Sequence, residues 1–195
     1  MIKMAPRFFY NLRLCGPKDS PDMIGGSMIR ILKPSSNVEN LQMIDLKKWY
    51  QRGIRGVLID LDNTISPWRK NDITGEALDF FKRAEEAKIQ VMLFTNAKAE
   101  RAGEAAANAG IPYFPSATKP LPWRFQKAAR SLGLKPNQTL MVGDQIFTDI
   151  LGGNLAGCVT VLVPPLEENE YGGTKILRMM ERMVGIHQKF RRNSK

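Results

Sequence analysis

Residues 60–64 read Asp-Leu-Asp-Asn-Thr and directly follow the apolar stretch Ile54-Arg55-Gly56-Val57-Leu58-Ile59. Two carboxylates this close can share one site when a strand end bends into a loop. Such a pair suits hydrolytic phosphoryl transfer. One carboxylate attacks phosphorus and forms an aspartyl-phosphate, while the other protonates the leaving oxygen and then deprotonates the water that breaks the intermediate. Thr95-Asn96 follows a second apolar run at 89–94, where a hydroxyl and backbone N–H groups can hold phosphate oxygens. Lys119, in Thr118-Lys119-Pro120, offers a cation to offset the nucleophile and the phosphate. Gly143-Asp144-Gln145-Ile146-Phe147-Thr148-Asp149 adds two carboxylates that can flank one cation from a strand end and a helix start. Oxygen ligands of this kind favour Mg²⁺, which would screen carboxylate–phosphate repulsion and polarise the phosphoryl oxygen. Each fragment alone is also ordinary turn or helix-cap chemistry.

The elements between these motifs alternate. The spacing predicts strands over 54–59, 89–94, 111–114, 139–142 and 160–163. Between them it predicts a helix capped by Thr74 with Ala77, Leu78, Phe81 and Ala84 on one face, and an alanine-rich helix over 99–109 stopped by Gly110. A third helix starts at Pro122 and stops at Gly133, and a fourth runs from about Thr148 to Ala156, ending at Gly157. Strand–helix alternation predicts an α/β fold with a mainly parallel sheet covered on both faces. In such sheets reactive groups gather at the carboxyl ends of the strands, where Asp60, Thr95 and Asp144 all fall.

Composition bounds the alternatives. The chain has 195 residues, 43% apolar and 25% charged, which suits one globular domain and argues against disorder. No run of 18 apolar residues predicts a membrane-spanning helix. Two cysteines, Cys15 and Cys158, make neither a disulfide framework nor a zinc site alone, and a single histidine, His187, argues against His-rich metal sites and a Ser-His-Asp triad. The net charge of +10 is uneven. Residues 1–50 hold eight Lys/Arg against four Asp/Glu, residues 51–174 hold fourteen of each, and residues 175–195 hold seven basic residues and only Glu181. This predicts a basic lead-in over 1–50, a balanced core over 51–174 and a basic C-terminal helix or tail over 175–195. Cationic flanks favour an anionic partner.

Taken in order, Asp60-x-Asp62-x-Thr64, Thr95, Lys119 and Gly143-Asp144-x-x-x-x-Asp149 resemble the motifs of the haloacid dehalogenase (HAD) superfamily of phosphatases, over about residues 54–165. The resemblance implies a Rossmannoid three-layer sandwich, with Asp60 as nucleophile and Asp62 as acid/base. It places Thr95, Asn96 and Lys119 at the phosphate. It also implies Mg²⁺ held by Asp60, the backbone carbonyl of Asp62 and Asp144, with Asp149 in support. The stretches Leu61-Asp62-Asn63-Thr64, Gly110-Ile111-Pro112, Lys119-Pro120 and Gly152-Gly153-Asn154 are similar to the YqeG-like group of class IIIA HAD phosphatases. That group includes a mitochondrial phosphatidylglycerophosphate phosphatase, so the resemblance implies a lipid phosphomonoester substrate in the cardiolipin pathway.

Spacing bears on the mouth of the site. Thirty residues separate Thr64 from Thr95, and 23 separate Thr95 from Lys119. Neither gap holds a large cap domain, so an open mouth is expected, suited to a bulky or surface-bound substrate. The loop Ser66-Pro67-Trp68-Arg69-Lys70 could bring Trp68 to a lipid interface and Arg69 or Lys70 to a second phosphate. In the tail, Ile176, Met180, Met183 and Val184 form an apolar helical stripe beside Lys175, Arg178 and Arg182, which packs on the sheet or lies at an interface. Peripheral contact with an anionic membrane is therefore expected, in the cytoplasm or the mitochondrial matrix. Alternatives are the same chemistry on a sugar phosphate or nucleic acid end, or a non-catalytic receiver-like or RNA-binding domain. Receivers place the acceptor on a later strand than the acidic pair. The chain carries no aromatic stacking motif or reader fold, so nucleic acid is not the expected partner.

Overall fold

The computed structural model describes residues 30–114 and 116–167. The expectations for residues 1–29 and for the tail, including His187 and the stripe from Ile176 to Val184, lie outside the described residues. The elements are β1 Ser36–Asn37, α1 Leu46–Gln51, β2 Gly56–Ile59, α2 Gly75–Glu86, β3 Gln90–Phe94, α3 Ala99–Ala109, β4 Tyr113–Phe114, α4 Pro122–Ser131, β5 Thr139–Gly143, α5 Leu151–Ala156 and β6 Val159–Leu162. The six strands form one sheet in the order β1-β6-β5-β2-β3-β4, and every pairing is parallel. No helix among the described residues is long and apolar enough to cross a membrane.

Alternation along the strands builds two apolar layers. Val57 and Ile59 of β2 point to one face, with Val91, Leu93, Leu140 and Val142, and pack against Ala77, Phe80, Phe81 and Ala84 of α2 and Ala105 and Ala106 of α3. Leu58, Met92 and Met141 point to the other, against Phe125 and Ala128 of α4 and Ala156 of α5. Both faces of the central strands are buried, which is why they read as continuous apolar runs. Burying a side chain such as Phe80 or Phe125, both 0% exposed, contributes roughly 1.5–3 kcal/mol each.

Local signals account for the helix ends. The Thr74 hydroxyl accepts the Ala77 N–H at 3.3 Å, capping α2. Gly110 (φ 66°) and Gly157 (φ 84°) close α3 and α5 in the left-handed region, where a β-carbon is costly. One face expectation fails: Leu78 is 46% exposed, and Phe80 takes its place in the core. The seam of α2 is 77, 80, 81 and 84, the i, i+3, i+4, i+7 stripe of a straight helix. Leu78 lies about 100° round from Ala77 and misses the sheet.

Residues 30–50 take part in the packing. β1 pairs with β6 (Ser36 beside Val161), and Leu32, Leu41, Ile44 and Leu46 are buried. Asn154 ties this stretch down, donating from Nδ2 to the carbonyls of Ile31 (2.8 Å) and Lys33 (3.0 Å).

Candidate active site

Sheet register brings the acidic motifs level. Ile59 of β2 stands beside Val142 of β5 and Leu93 of β3. Asp60 continues the ladder, donating its N–H to the Val142 carbonyl at 3.0 Å. One step past the ends of β2, β5 and β3 therefore lie Asp60, Asp144 and Thr95. Asp60, Thr95 and Asp144 are buried, as are Thr64, Lys119 and Asp149.

After β5 the chain makes a wide π-helical turn, Ile146–Ile150, before α5 begins. Such turns shift the side-chain phase relative to an α-helix and recur at functional sites. Here the turn folds Asp149 back over the strand end, so that its Oδ2 accepts the Gln145 N–H at 3.1 Å. The fourth helix foreseen from Thr148 is thus a π turn followed by a short α-helix.

Lys119 joins the two acidic segments. Its Nζ lies 2.6 Å from Asp60 Oδ1 and 2.7 Å from Asp149 Oδ1, with the ammonium shielded from solvent. Burial alone would lower the Lys119 pKa, but the carboxylates of Asp149 and Asp60 overcome this and hold it above the usual lysine range. For Asp149 burial dominates: its pKa rises from 3.8 to about 6, opposed by Lys119 and assisted by Asp60. Asn96 works on the same lysine through its backbone. Its Oδ1 accepts the Lys119 N–H at 2.7 Å, and its Nδ2 donates to the Lys119 carbonyl at 3.2 Å. The Thr95 hydroxyl oxygen accepts the Ala97 N–H at 3.2 Å, bending the chain away from β3.

Asp60, Asp144 and Asp149 each offer a carboxylate oxygen, and the three oxygens lie within 4.8 Å of one another. Three buried hard donors, two of them paired with one buried ammonium, make a set that fits a divalent cation, which would neutralise the remaining negative charge. The Thr64 hydroxyl reaches Asp144 Oδ1 at 3.5 Å and braces that side.

The Asp62 carboxylate is not one of this trio. It forms a bidentate pair with Arg101 of α3, at 2.8 Å (Nη1–Oδ2) and 2.6 Å (Nη2–Oδ1). The Arg69 N–H also donates to Asp62 Oδ1 at 2.9 Å. Arg101 went unnoticed in the sequence, where it is one basic residue among many. The available signal was the polar stripe Arg101, Glu104, Asn108 on an alanine-rich helix, at i, i+3, i+7. Asn63 stands in the first motif with no role assigned to it from sequence. It is 1% exposed in a left-handed turn (φ 59°), with no hydrogen-bond partner for its side-chain amide among the described residues. In the loop beyond, Trp68 is half-buried, and Lys70 lies 3.9 Å from Glu167 with both side chains largely exposed.

A parallel sheet whose strand ends carry an Asp-x-Asp motif, a buried lysine and a carboxylate trio defines a phosphatase of the haloacid dehalogenase class. The chain belongs to the haloacid dehalogenase-like hydrolase family, whose model matches residues 49–157. It is similar to the "Probable phosphatase YqeG" of Bacillus subtilis (strain 168), 32% identical over 151 residues, 77% of this chain and 88% of that protein. It is 27% identical over 146 residues to "Phosphatidylglycerophosphate phosphatase 1, chloroplastic/mitochondrial" of Arabidopsis thaliana, 70% of this chain but 42% of that one. Among solved structures, an uncharacterized protein from Listeria monocytogenes serotype 4b shares the fold with a TM-score of 0.50 and 16% identity, covering 60% of this chain and 85% of that chain.

Proposed function

We propose that this hydrolase is a Mg²⁺-dependent phosphomonoesterase that works through an aspartyl-phosphate on Asp60 and takes phosphatidylglycerophosphate as its substrate, releasing phosphatidylglycerol. The observation that carries the chemistry is the convergence of the Asp60, Asp144 and Asp149 carboxylates at the strand ends, with Asp60 and Asp149 paired to the buried Lys119 ammonium.

Asp60 attacks phosphorus and forms the acyl-phosphate bond as the alkoxide leaves. Asp62 supplies that oxygen with a proton, then takes one from the water that attacks phosphorus and releases phosphate, restoring Asp60. Lys119 offsets the charge of Asp60 and of the phosphoryl oxygens, with its position fixed by Asn96. Asp60, Asp144 and Asp149 would hold Mg²⁺, which when bound supplies charge neutralisation at the phosphoryl oxygen.

The lipid substrate is supported by the partial likeness to the plant phosphatase and by the lack of an inserted cap between the site motifs. The segments linking Thr64 to Thr95 and Thr95 to Lys119 are a loop with α2 and β3, and α3 with β4. An uncapped mouth can approach a head group that stays in its bilayer. The basic flanks would bring the enzyme to an anionic surface in the cytoplasm or mitochondrial matrix.

The test is phosphate release from phosphatidylglycerophosphate in mixed micelles against glycerol 3-phosphate and p-nitrophenyl phosphate, with Mg²⁺ and with EDTA. The lipid should be preferred, EDTA should stop turnover, and Asp60→Asn should be folded but inactive. Equal turnover of all three substrates would remove the lipid assignment. Full activity in Asp60→Asn would remove the nucleophile.

A further inference from the structure

The acid/base carboxylate is engaged elsewhere. Asp62 Oδ1 accepts from both Arg101 Nη2 and the Arg69 N–H, while Oδ2 accepts from Arg101 Nη1. With both oxygens in the guanidinium fork, the carboxylate must leave at least one of these bonds before it can address a leaving oxygen. Arg101 is itself held in place. Its Nη2 also donates to the Lys70 carbonyl at 2.9 Å, and its Nε to Asn71 Oδ1 at 3.2 Å. Asn71 is gripped in turn by Glu104 (2.7 Å) and Asn108 (3.2 Å). One face of α3 thus clasps the loop that follows the nucleophile and keeps the guanidinium next to Asp62.

A guanidinium fork matches a phosphate as well as a carboxylate. The Arg101 and Asp62 side chains are 23% and 15% exposed, so an anion can reach the pair from solvent without unfolding the loop. Arg69 and Lys70, both exposed, belong to the same loop, with the Lys70 ammonium 3.9 Å from the Glu167 carboxylate. We propose that Arg101 is a specificity-determining subsite for a second anionic phosphate group of the substrate, and that this group displaces Asp62 from the fork and frees it for proton transfer. The enzyme would then favour phosphomonoesters that carry another negative phosphate a few bonds from the scissile one. That group could be the phosphodiester of a lipid head group or the second phosphate of a soluble bisphosphate. The inference rests on the reading of Asp62 as acid/base.

The test compares wild type, Arg101→Gln and Arg101→Lys on three substrates, with kcat and KM resolved. These are p-nitrophenyl phosphate, propane-1,3-diol bisphosphate and dioctanoyl phosphatidylglycerophosphate. Wild type should prefer at least one two-phosphate substrate. Arg101→Gln should lower its kcat/KM about tenfold or more beyond any change on p-nitrophenyl phosphate, because a charge-assisted bidentate contact is lost. Arg101→Lys should retain part of the preference, since the charge stays and the fork does not. Preference for the lipid alone assigns the head-group phosphodiester, and preference for the soluble compound assigns a second free phosphate. Equal losses on all three substrates, or no preference in wild type, would overturn the proposal and leave Arg101 as a brace for the loop. Should Arg101→Gln fail to fold, Arg101→Lys decides: an undiminished preference counts against the fork. A separate Asp62→Asn variant tests the underlying reading, because undiminished kcat there would remove the acid/base role whatever Arg101 does.

Discussion

Asp149 lies so close to Gly143 that a β-carbon at residue 143 would overlap its carboxylate. The missing side chain lets the π turn lay Asp149 against the end of β5, within reach of Lys119 and the Gln145 N–H. Glycine is required here by the close approach of another residue and not by a left-handed backbone.

Gly143→Ala is accordingly expected to push Asp149 out of the trio. Overpacking at such a position costs typically 1–3 kcal/mol. Divalent-cation affinity and kcat should fall together, by about a hundredfold if the ligand is displaced by an ångström or more. Titration calorimetry with Mg²⁺ alongside steady-state assays checks this; a variant with unchanged affinity would mean that Asp149 is not needed for the ion.

Lys119→Met removes the cation that pairs with both Asp60 and Asp149 among the described residues. Stranding buried carboxylates costs on the order of 3–5 kcal/mol. The expected result is a large drop in melting temperature in EDTA, part of it recovered on adding Mg²⁺, with turnover lost in both conditions. A melting temperature equal to wild type in EDTA would contradict the charge balance described here.

The raised pKa of Asp149, about 6 against an ordinary 3.8, has a definite sign in stability. Between these values the folded chain keeps a proton that the unfolded chain has released. The contribution of Asp149 to stability without metal therefore falls as pH rises through this window. A divalent ion needs the ionised carboxylate, so its affinity climbs over the same range. The gain in melting temperature from Mg²⁺ should be small at pH 5 and clearly larger at pH 7.5. An equal gain at both would place the ion elsewhere.

Gly152 permits a second close approach. A β-carbon there would fall 2.9 Å from the Pro120 Cα and closer still to the Phe125 ring. Gly152→Ala should therefore destabilise the protein by about 1–3 kcal/mol, measured by denaturant unfolding. It should also disturb Lys119 through Pro120, lowering kcat. Wild-type values for both quantities would show that α4 and α5 can part without cost.

Much of this was readable along the chain because the signals are local. Thr74 as a cap, Gly110 and Gly157 as stops, Pro122 as a helix start and the apolar strand runs act within a few residues of themselves. The acidic motifs were readable for a related reason: strand ends of a parallel sheet lie at one edge, so a motif after each strand implies a common site. The face of α2 misled only at one position: Leu78 is as apolar as Phe80, but the helical period puts Phe80 on the stripe with Ala77, Phe81 and Ala84.

Residue types and spacing were enough to determine the α/β alternation, the carboxylates and the lysine. The strand order β1-β6-β5-β2-β3-β4 and the entry of residues 30–50 into the packing came only from the folded chain. So did the engagement of Asp62 by Arg101, two residues 39 positions apart. Nothing near either residue encodes that pairing. It exists because the loop after the nucleophile folds back onto α3, and a guanidinium and a carboxylate brought together at a partly buried surface are worth more paired than apart.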